Sequence, residues 1–324
     1  SDLKGRRLLN LDSEEEGVFT VGCAGGLRAD CLLPAEKQPL HGEKVFAVTI
    51  SGLRGGHSGA EIDKGRASAN TLMGRVLYTA MERLGSLRIA GLRGGQFDNV
   101  ICPRCDAVVA VPAGKEEEFS SFVRDFSGIM KNEYAVTDPD VTLCAAAAHA
   151  DSAYSEAASE RMLHVLLALP QGVQVMSADF PGLVQTSLNL GVITAGDDGL
   201  HFSFSIRSSV ATQKELLLQR VRAIVEYTGG GTVSTRGDYP AWQYARQSPL
   251  RDTVMAAYKD ITGQDGVIMA THGGLECGLL INKMPGLDAV SLGPELHDIH
   301  SPRERLGVAS TARMYALVCE VLKN

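Results

Sequence analysis

The chain has 324 residues, of which 44% are hydrophobic and 21% are charged, and its formal net charge is −7. This size and composition are typical of a globular protein with two structural units. The acidic balance and the lack of a large basic block argue against nucleic-acid binding. No apolar run predicts a membrane span or a secretory signal, and the odd number of scattered cysteines favours reduced thiols in a cytoplasmic protein.

The first segment has the pattern of one strand of a larger layer. Residues 7–12 predict a buried strand that ends at Asp12, and an acidic turn follows it. A buried strand needs neighbours on both faces. Because domains rarely open on such a strand, we expect a further part of this fold to precede residue 1 in the complete protein.

The middle of the chain, residues 26–238, predicts an inserted α+β domain made of two similar β-α-β units. Apolar periodicity gives the first unit a strand at 44–52, a helix at 62–84, a strand at 100–111 and a helix at 119–130. The same periodicity gives the second unit a strand at 141–147, a helix at 155–169, a hairpin of strands 183–194 and 200–209, and a helix at 212–227.

The last segment alternates helices and strands. Its pattern predicts helices at 248–261, 275–281 and 310–321, with strands at 267–270 and 287–292 between them. Such alternation is typical of a parallel α/β layer. We therefore expect residues 1–25 and 239–324 to share one sheet, with residues 26–238 inserted as a second domain.

Several polar residues lie at the ends of these predicted elements. Asp12 ends a strand, where α/β sheets place ligands and where a carboxylate suits zinc, although its spacing alone favours a turn residue. His57, His272 and His300 are three of the eight histidines and all lie at element ends, but each is weak evidence by itself. Arg207, in a predicted strand, could pair with a structural acid or bind a substrate carboxylate, and the sequence leaves both alternatives open.

A set of strings, in order along the chain, resembles the aminoacyl-histidine dipeptidases of the larger zinc aminoacylase and carboxypeptidase family. The strings are LLNLDSEEE at 8–16, VGCAGG at 21–26, GLRGGHSG at 52–59, TSLNLG at 186–191, HGGLECG at 272–278, and VSLGP at 290–294 with HSP at 300–302. Two departures are Gly273, where the family usually has alanine, and Arg303, where it usually has an acid.

The resemblance implies an α/β metallopeptidase that hydrolyses Xaa-His and other dipeptides with two zinc ions, or with manganese or cobalt in their place. It implies that Asp12 is a ligand of one metal ion and His300 a ligand of the other. It also implies that His57 steadies the oxyanion of the tetrahedral intermediate. A homodimer that pairs through the inserted lid domain is the expected assembly.

The resemblance extends to residues that would contact the substrate. It implies that Asn99 touches the substrate, that Arg207 holds its free carboxylate, and that the loop with His272, Gly274 and Glu276 shapes the pocket. The family's His-x-Asp strand, bridging aspartate and Glu-Glu pair have no counterpart in these 324 residues. We therefore expect the chain alone to bind zinc weakly and to be inactive; the competing hypothesis is a non-catalytic binding or dimerisation module.

Overall fold

The structure, a computed structural model, describes residues 4–299 and 301–323. The helices in this part of the chain are α1 (Ala69–Leu84), α2 (Glu116–Glu133), α3 (Glu156–Ala168), α4 (Ala211–Arg222), α5 (Pro249–Thr262), α6 (Glu276–Lys283) and α7 (Val308–Val321). The strands are β1 (Arg7–Asn10), β2 (Val18–Cys23), β3 (Gly25–Pro34), β4 (Lys37–Pro39), β5 (Lys44–Ser51), β6 (Gly56–His57), β7 (Arg88–Gly94), β8 (Val100–Ile101), β9 (Cys105–Val111), β10 (Thr142–Ala147), β11 (Ser152–Tyr154), β12 (Gly172–Met176), β13 (Val184–Ala195), β14 (Gly199–Ser208), β15 (Thr232–Tyr239), β16 (Val267–Thr271), β17 (Asp288–Ser291), β18 (Leu296–His297) and β19 (Arg305–Leu306).

A large antiparallel sheet occupies the middle of the chain. Within the described residues it has nine strands in the order β10-β5-β9-β7-β13-β14-β3-β15, with β12 paired to β13 beside this path. Buried side chains of α1, α2, α3 and α4 pack with those of the sheet in one hydrophobic core. Antiparallel sheets bury one face and alternate apolar with polar residues, as Val48 and Ile50 do around the half-buried Thr49.

A smaller sheet draws its strands from both ends of the chain. Its order is β1-β17-β2-β16 across the described residues, and the pairs β1–β17 and β16–β2 are parallel. Phe19 of β2 is buried among apolar side chains of α5 and α7, such as Val254 and Leu317. Cys277 of α6 belongs to a separate small cluster with Trp242. The mixed α/β fold class predicted from the sequence is confirmed, whereas the domain limits 1–25, 26–238 and 239–324 stay a prediction.

The structure corrects several predicted elements. The small sheet is not wholly parallel, because Ser291 of β17 pairs antiparallel with Thr20 of β2. The strand predicted at 100–111 is two strands, β8 and β9, with Pro103 between them; proline cannot donate to a ladder. The strand predicted as buried at 7–12 is half-buried, ends at Asn10 and lies at one end of the small sheet among the described residues. The helix predicted from residue 62 begins at Ala69, after Gly65 adopts a left-handed conformation with φ +66°.

No helix in residues 4–299 and 301–323 has the combined length and apolar character needed to cross a lipid bilayer.

Candidate active site

A short two-stranded pairing brings His57 beside Asn99. Strand β6 pairs antiparallel with β8, with Gly56 opposite Ile101 and His57 opposite Val100. The Ser58 amide donates a hydrogen bond of 2.9 Å to the Asn99 carbonyl oxygen. Two residues that lie far apart in the sequence are therefore neighbours on one small backbone unit.

Hydrogen bonds from the backbone hold the ring of His57 in one tautomer. Its Nδ1 accepts hydrogen bonds of 3.2 Å from the amides of Gly59 and Ala60. A ring nitrogen that accepts two N–H groups carries no proton, so the neutral ring has its hydrogen on Nε2. Partial burial, and then the charge of Arg207, lower the pKa of His57 and favour this neutral form. The Nε2–H group is thus a defined hydrogen-bond donor.

Arg207 is a buried cation without an anionic partner in the described residues. Its side chain lies in β14 and the residue is only 6% exposed. One guanidinium nitrogen, Nη1, donates to the Tyr239 hydroxyl at 3.2 Å, while Nε is buried with no hydrogen bond to a described residue. Burying an unpaired charge is costly. The site is therefore ready to accept an anion that brings the missing hydrogen-bond acceptors.

Strand register aligns a row of residues across the large sheet around Arg207. The row runs across four neighbouring strands, in the order Ser187 of β13, Arg207 of β14, Gly26 of β3 and Tyr239 of β15. Residues opposite one another share a sheet face. A Cβ atom at position 26 would lie 2.6 Å from the Tyr239 hydroxyl oxygen. Glycine at this position therefore leaves the space in which Tyr239 reaches Arg207.

His272 joins this row from the loop that follows β16. The residue is 5% exposed, and its Nε2 forms a 2.7 Å hydrogen bond with the Ser187 hydroxyl. Burial, and then the charge of Arg207, lower the pKa of His272 to about 4. His272 is therefore neutral near pH 7, and it adds no second positive charge beside Arg207.

Two glycine contacts connect the separate parts of the site. A Cβ atom at Gly59 would lie 2.9 Å from Cε1 of His57 and 3.2 Å from Cζ of Arg207. The backbone at residue 59 is thus in close contact with both the imidazole and the guanidinium. A Cβ atom at Gly274 would lie 2.7 Å from the Tyr239 ring, so the His272 loop also packs on this tyrosine.

An acidic cleft of about 450 Å³ borders the Gly274 loop. Its lining includes the carboxylate residues Asp12, Glu14, Glu15 and Glu295, together with Gly273, Gly274 and Leu275 of the loop. Asp12 is exposed in the turn after β1, and Glu276 is exposed in the first turn of α6, outside the cleft lining. Gly274 therefore borders both the cleft and the Arg207 row.

The described residues do not form a complete metal site. Across residues 4–299 and 301–323, no three histidine, cysteine, aspartate or glutamate side chains are grouped so as to hold a metal ion. Asp12, the predicted ligand, is one of four carboxylate residues that line the acidic cleft. His300, the other predicted metal ligand, lies outside the described residues.

The structure adds residues that sequence inspection does not single out. Tyr239 contacts Arg207, and Ser187 contacts His272. Neither residue has a local sequence pattern that marks it as functional. Ser187 lies within the string at 186–191 that carries part of the family resemblance. Tyr239 is followed by Pro240, a feature that indicates only a turn.

Comparison with known proteins defines the class to which this fold and site belong. Residues 48–138 match the family model described as a peptidase dimerisation domain. The chain is 35% identical over 319 residues to the cytosol non-specific dipeptidase of Escherichia coli (strain K12). This alignment covers 98% of the chain and 65% of that protein. The crystal structure of aminoacylhistidine dipeptidase from Vibrio alginolyticus superposes with a TM-score of 0.93 at 31% identity, over 99% of this chain and 66% of that one.

Over almost its whole length the chain is similar to peptidases of the M20 family. Within that family, its predicted resemblance to the aminoacyl-histidine dipeptidases is confirmed by the two relatives above. The chain spans just under two thirds of the length of each of them.

Proposed function

We propose that this chain serves the hydrolysis of dipeptides, Xaa-His dipeptides among them, and that Arg207 binds the free carboxylate of the substrate. The observation that carries the proposal is the buried guanidinium of Arg207, which has no carboxylate partner in the described residues and an unsatisfied Nε–H. A substrate carboxylate would supply both the negative charge and the acceptors. Because the lowered pKa values of His272 and His57 favour their neutral forms, Arg207 carries the positive charge among these three residues.

The remaining residues of the site take complementary roles in this proposal. His57 donates from Nε2–H to the oxygen that becomes negative in the tetrahedral intermediate, because a preorganised donor stabilises charge that develops there. Asn99, on the neighbouring strand end, contacts the substrate. The loop with His272, Gly274 and Glu276 forms the wall of the pocket around the substrate side chains.

The metal ions belong to the acidic cleft in this proposal. We assign Asp12 as a ligand of one ion and His300 as a ligand of the other, with zinc as the metal and manganese or cobalt as alternatives. Catalytic zinc normally has three protein ligands, and the described residues contain no such group. We therefore propose that the 324-residue chain alone binds zinc weakly and does not hydrolyse dipeptides. We also propose that the protein is cytoplasmic and forms a homodimer that pairs through residues 26–238.

Calorimetric titration of the 324-residue chain with an Xaa-His dipeptide tests the role of Arg207. Arg207→Ala should weaken binding by about 30-fold, the equivalent of about 2 kcal/mol for a charge-assisted hydrogen-bonded pair. A dipeptide with an amidated C-terminus should bind the unaltered chain as weakly as the acid binds the variant. Arg124→Ala, at an exposed position of α2, is the matched control. Equal affinity for the acid and the amide would contradict the proposal.

Metal analysis after mild dialysis, combined with a dipeptide hydrolysis assay, tests the metal part separately. The expected result is less than one zinc ion per chain and no turnover. Stoichiometric zinc with measurable turnover would overturn the claim of inactivity, and it would leave the Arg207 assignment to the binding experiment.

A further inference from the structure

The backbone unit that carries His57 and Asn99 is held by two buried polar side chains outside the Arg207 row. This unit, here called the His57–Asn99 unit, comprises residues 54–67 and 98–101. Its own strand pairing is only two residues long on each side. So short a ladder fixes little by itself, so other contacts must set the position of the unit on the large sheet.

Asn189 holds the Asn99 side of the unit. The residue lies in β13 and is 1% exposed. Its Nδ2 donates to the carbonyl oxygens of Asp98, at 3.0 Å, and Val100, at 2.8 Å, which flank Asn99 on either side. Its Oδ1 accepts a 3.0 Å hydrogen bond from Nε2 of Gln171. Because donor and acceptor atoms are all engaged, the amide has one orientation.

Asp138 holds the His57 side of the unit. The residue is fully buried, at 0% exposure. Its two carboxylate oxygens accept hydrogen bonds of 2.9 Å from the amides of Arg54 and Ala67, one oxygen to each. These amides stand at the two ends of the loop that contains His57. No cation forms an ion pair with Asp138 within the described residues, so this buried charge is stabilised by loop backbone groups.

The two anchors meet inside the unit. The Asn99 carbonyl, which lies between the two groups bound by Asn189, accepts the Ser58 amide at 2.9 Å. Glu61 then accepts the His57 amide at 2.9 Å within the loop closed by Asp138. Asn189 is therefore connected to Ser58, the neighbour of His57, through its hydrogen bonds to the backbone around Asn99 and the bond from Ser58 to Asn99, and Asp138 holds both ends of the same loop.

We propose that Asn189 and Asp138 are positioning residues that fix His57 and Asn99 against the substrate site. This inference rests on the proposed function for its purpose, because it treats His57 as the donor to the reacting oxygen. The side-chain hydrogen bonds of both residues go to groups outside the Arg207 row. They act on the reaction through the backbone of the unit. The direct observable of this effect is the tautomer of the His57 ring.

The test reads the His57 ring by nitrogen NMR of the histidine-labelled 324-residue chain, with the signals assigned by His57→Gln. The unaltered chain should show one tautomer, protonated at Nε2, because the loop holds the Gly59 and Ala60 amides on Nδ1. Asn189→Asp places a carboxylate against two carbonyl oxygens, and Asp138→Asn replaces one loop acceptor with a donor. Each should add the Nδ1-protonated tautomer and shift the titration midpoint of His57 upward.

The expected upward shift in the pKa of His57 follows from the groups around its ring. The charged groups that act on His57 are Arg207 and Arg28, which lower its pKa, and Glu61, which raises it. Movement of the loop away from Arg207 reduces burial and repulsion together, and this gives the upward direction.

Asn70→Asp is the matched control for a general loss of stability. Asn70 is also 1% exposed, and its Nδ2 also donates to two backbone carbonyls, those of Leu190 and Gly191, but these are outside the His57–Asn99 unit. This variant should lose thermal stability and keep the His57 spectrum. An unchanged spectrum in both Asn189→Asp and Asp138→Asn, or an equal change in Asn70→Asp, would overturn the proposal.

The design keeps this inference separate from the proposed function. The NMR readout needs no dipeptide, so failure of dipeptide binding leaves it intact, and the Arg207 titration does not depend on the His57 tautomer. If either variant does not fold, serine at the same position removes the side-chain amide or carboxylate with less strain, and the same spectrum decides the result.

Discussion

The residues around Arg207 confine positive charge to a single guanidinium. Two histidines lie close to it, and Arg207 contributes to the lowered pKa of each. For both rings, burial is the larger cause, since an imidazolium loses hydration inside the protein. The outcome is a row of neutral donors and acceptors, Ser187, His272 and Tyr239, around one cation. A site of this type selects a single anionic group and not a neutral polar one.

His272 should make the stability of the protein depend on pH. Its pKa is lowered from 6.5 to about 4 in the folded chain, so the unfolded state takes up a proton first as the pH falls. Stability from this group is complete above pH 6.5 and is lost as the pH falls towards 4. Between about pH 7 and about pH 4.5 the loss amounts to about 2 kcal/mol.

Urea unfolding at the two pH values, compared between the unaltered chain and His272→Gln, measures this effect. Glutamine keeps a group that can hydrogen-bond Ser187, so the variant should lose about 2 kcal/mol less between the two conditions. Identical pH dependence in His272→Gln and the unaltered chain would show that His272 titrates normally.

At the level of elements, strand β13 supports the site through an irregularity in its ladder. The register with β14 shifts between Leu190 and Val192, and Gly191 lies at this shift. A Cβ atom at Gly191 would lie 2.5 Å from both Cα and the carbonyl oxygen of Asp98, which are backbone atoms and cannot rotate away. Glycine here lets β13 approach the segment that leads into Asn99.

Gly191→Ala should therefore push this segment off the strand and destabilise the protein by about 1–3 kcal/mol, the usual cost of overpacking. Gly128→Ala is the opposite control, because Gly128 lies in α2 with no heavy atom within 4 Å of its added Cβ. That change should stabilise the chain by up to about 1 kcal/mol, the helix preference of alanine over glycine. Chemical unfolding of both variants measures the two effects, and a neutral result for Gly191→Ala would refute the steric argument.

Local patterns predict the elements well, since periodicity and end signals act over a few residues. Helix α5, which begins at Pro249 after the cap Ser248, starts where its sequence indicates. The break at Pro103 has a local cause, since proline cannot donate to a strand ladder, and the single strand predicted at 100–111 does not take it into account. The antiparallel pair in the small sheet depends on pairing partners that local sequence does not specify. The same limit hides Tyr239, because its role arises only when β15 and β14 pair on either side of β3.

The whole molecule combines two sheets at the candidate site. Ser187 and Arg207 come from the large sheet, whereas His272 follows a strand of the small one. The chain passes between the sheets at Ala24, and Cys23 forms an isolated bridge with Trp242 close to that point. The site therefore depends on both sheets, and any assembly that fixes the large sheet also affects the positions of Ser187 and Arg207.

The large sheet has an edge that favours association with a second copy. Strand β10 is at the end of the strand order, and its sequence, TLCAAA, has no charge or proline to block further pairing. Unprotected edge strands are sites of strand addition. The match of residues 48–138 to a peptidase dimerisation domain includes β5, the neighbour of β10. We expect a homodimer in which this edge is covered.

Sedimentation equilibrium should give the unaltered chain twice its 34.5 kDa mass. Lysine at two exposed positions of β10, Cys144→Lys with Ala146→Lys, should shift the equilibrium to the monomer, because like charges would face each other across a paired edge and each would lose hydration. Ala256→Lys, on the exposed side of α5, adds charge elsewhere and should leave the dimer intact. A dimer that survives both lysines would contradict the assignment of the interface to the β10 edge.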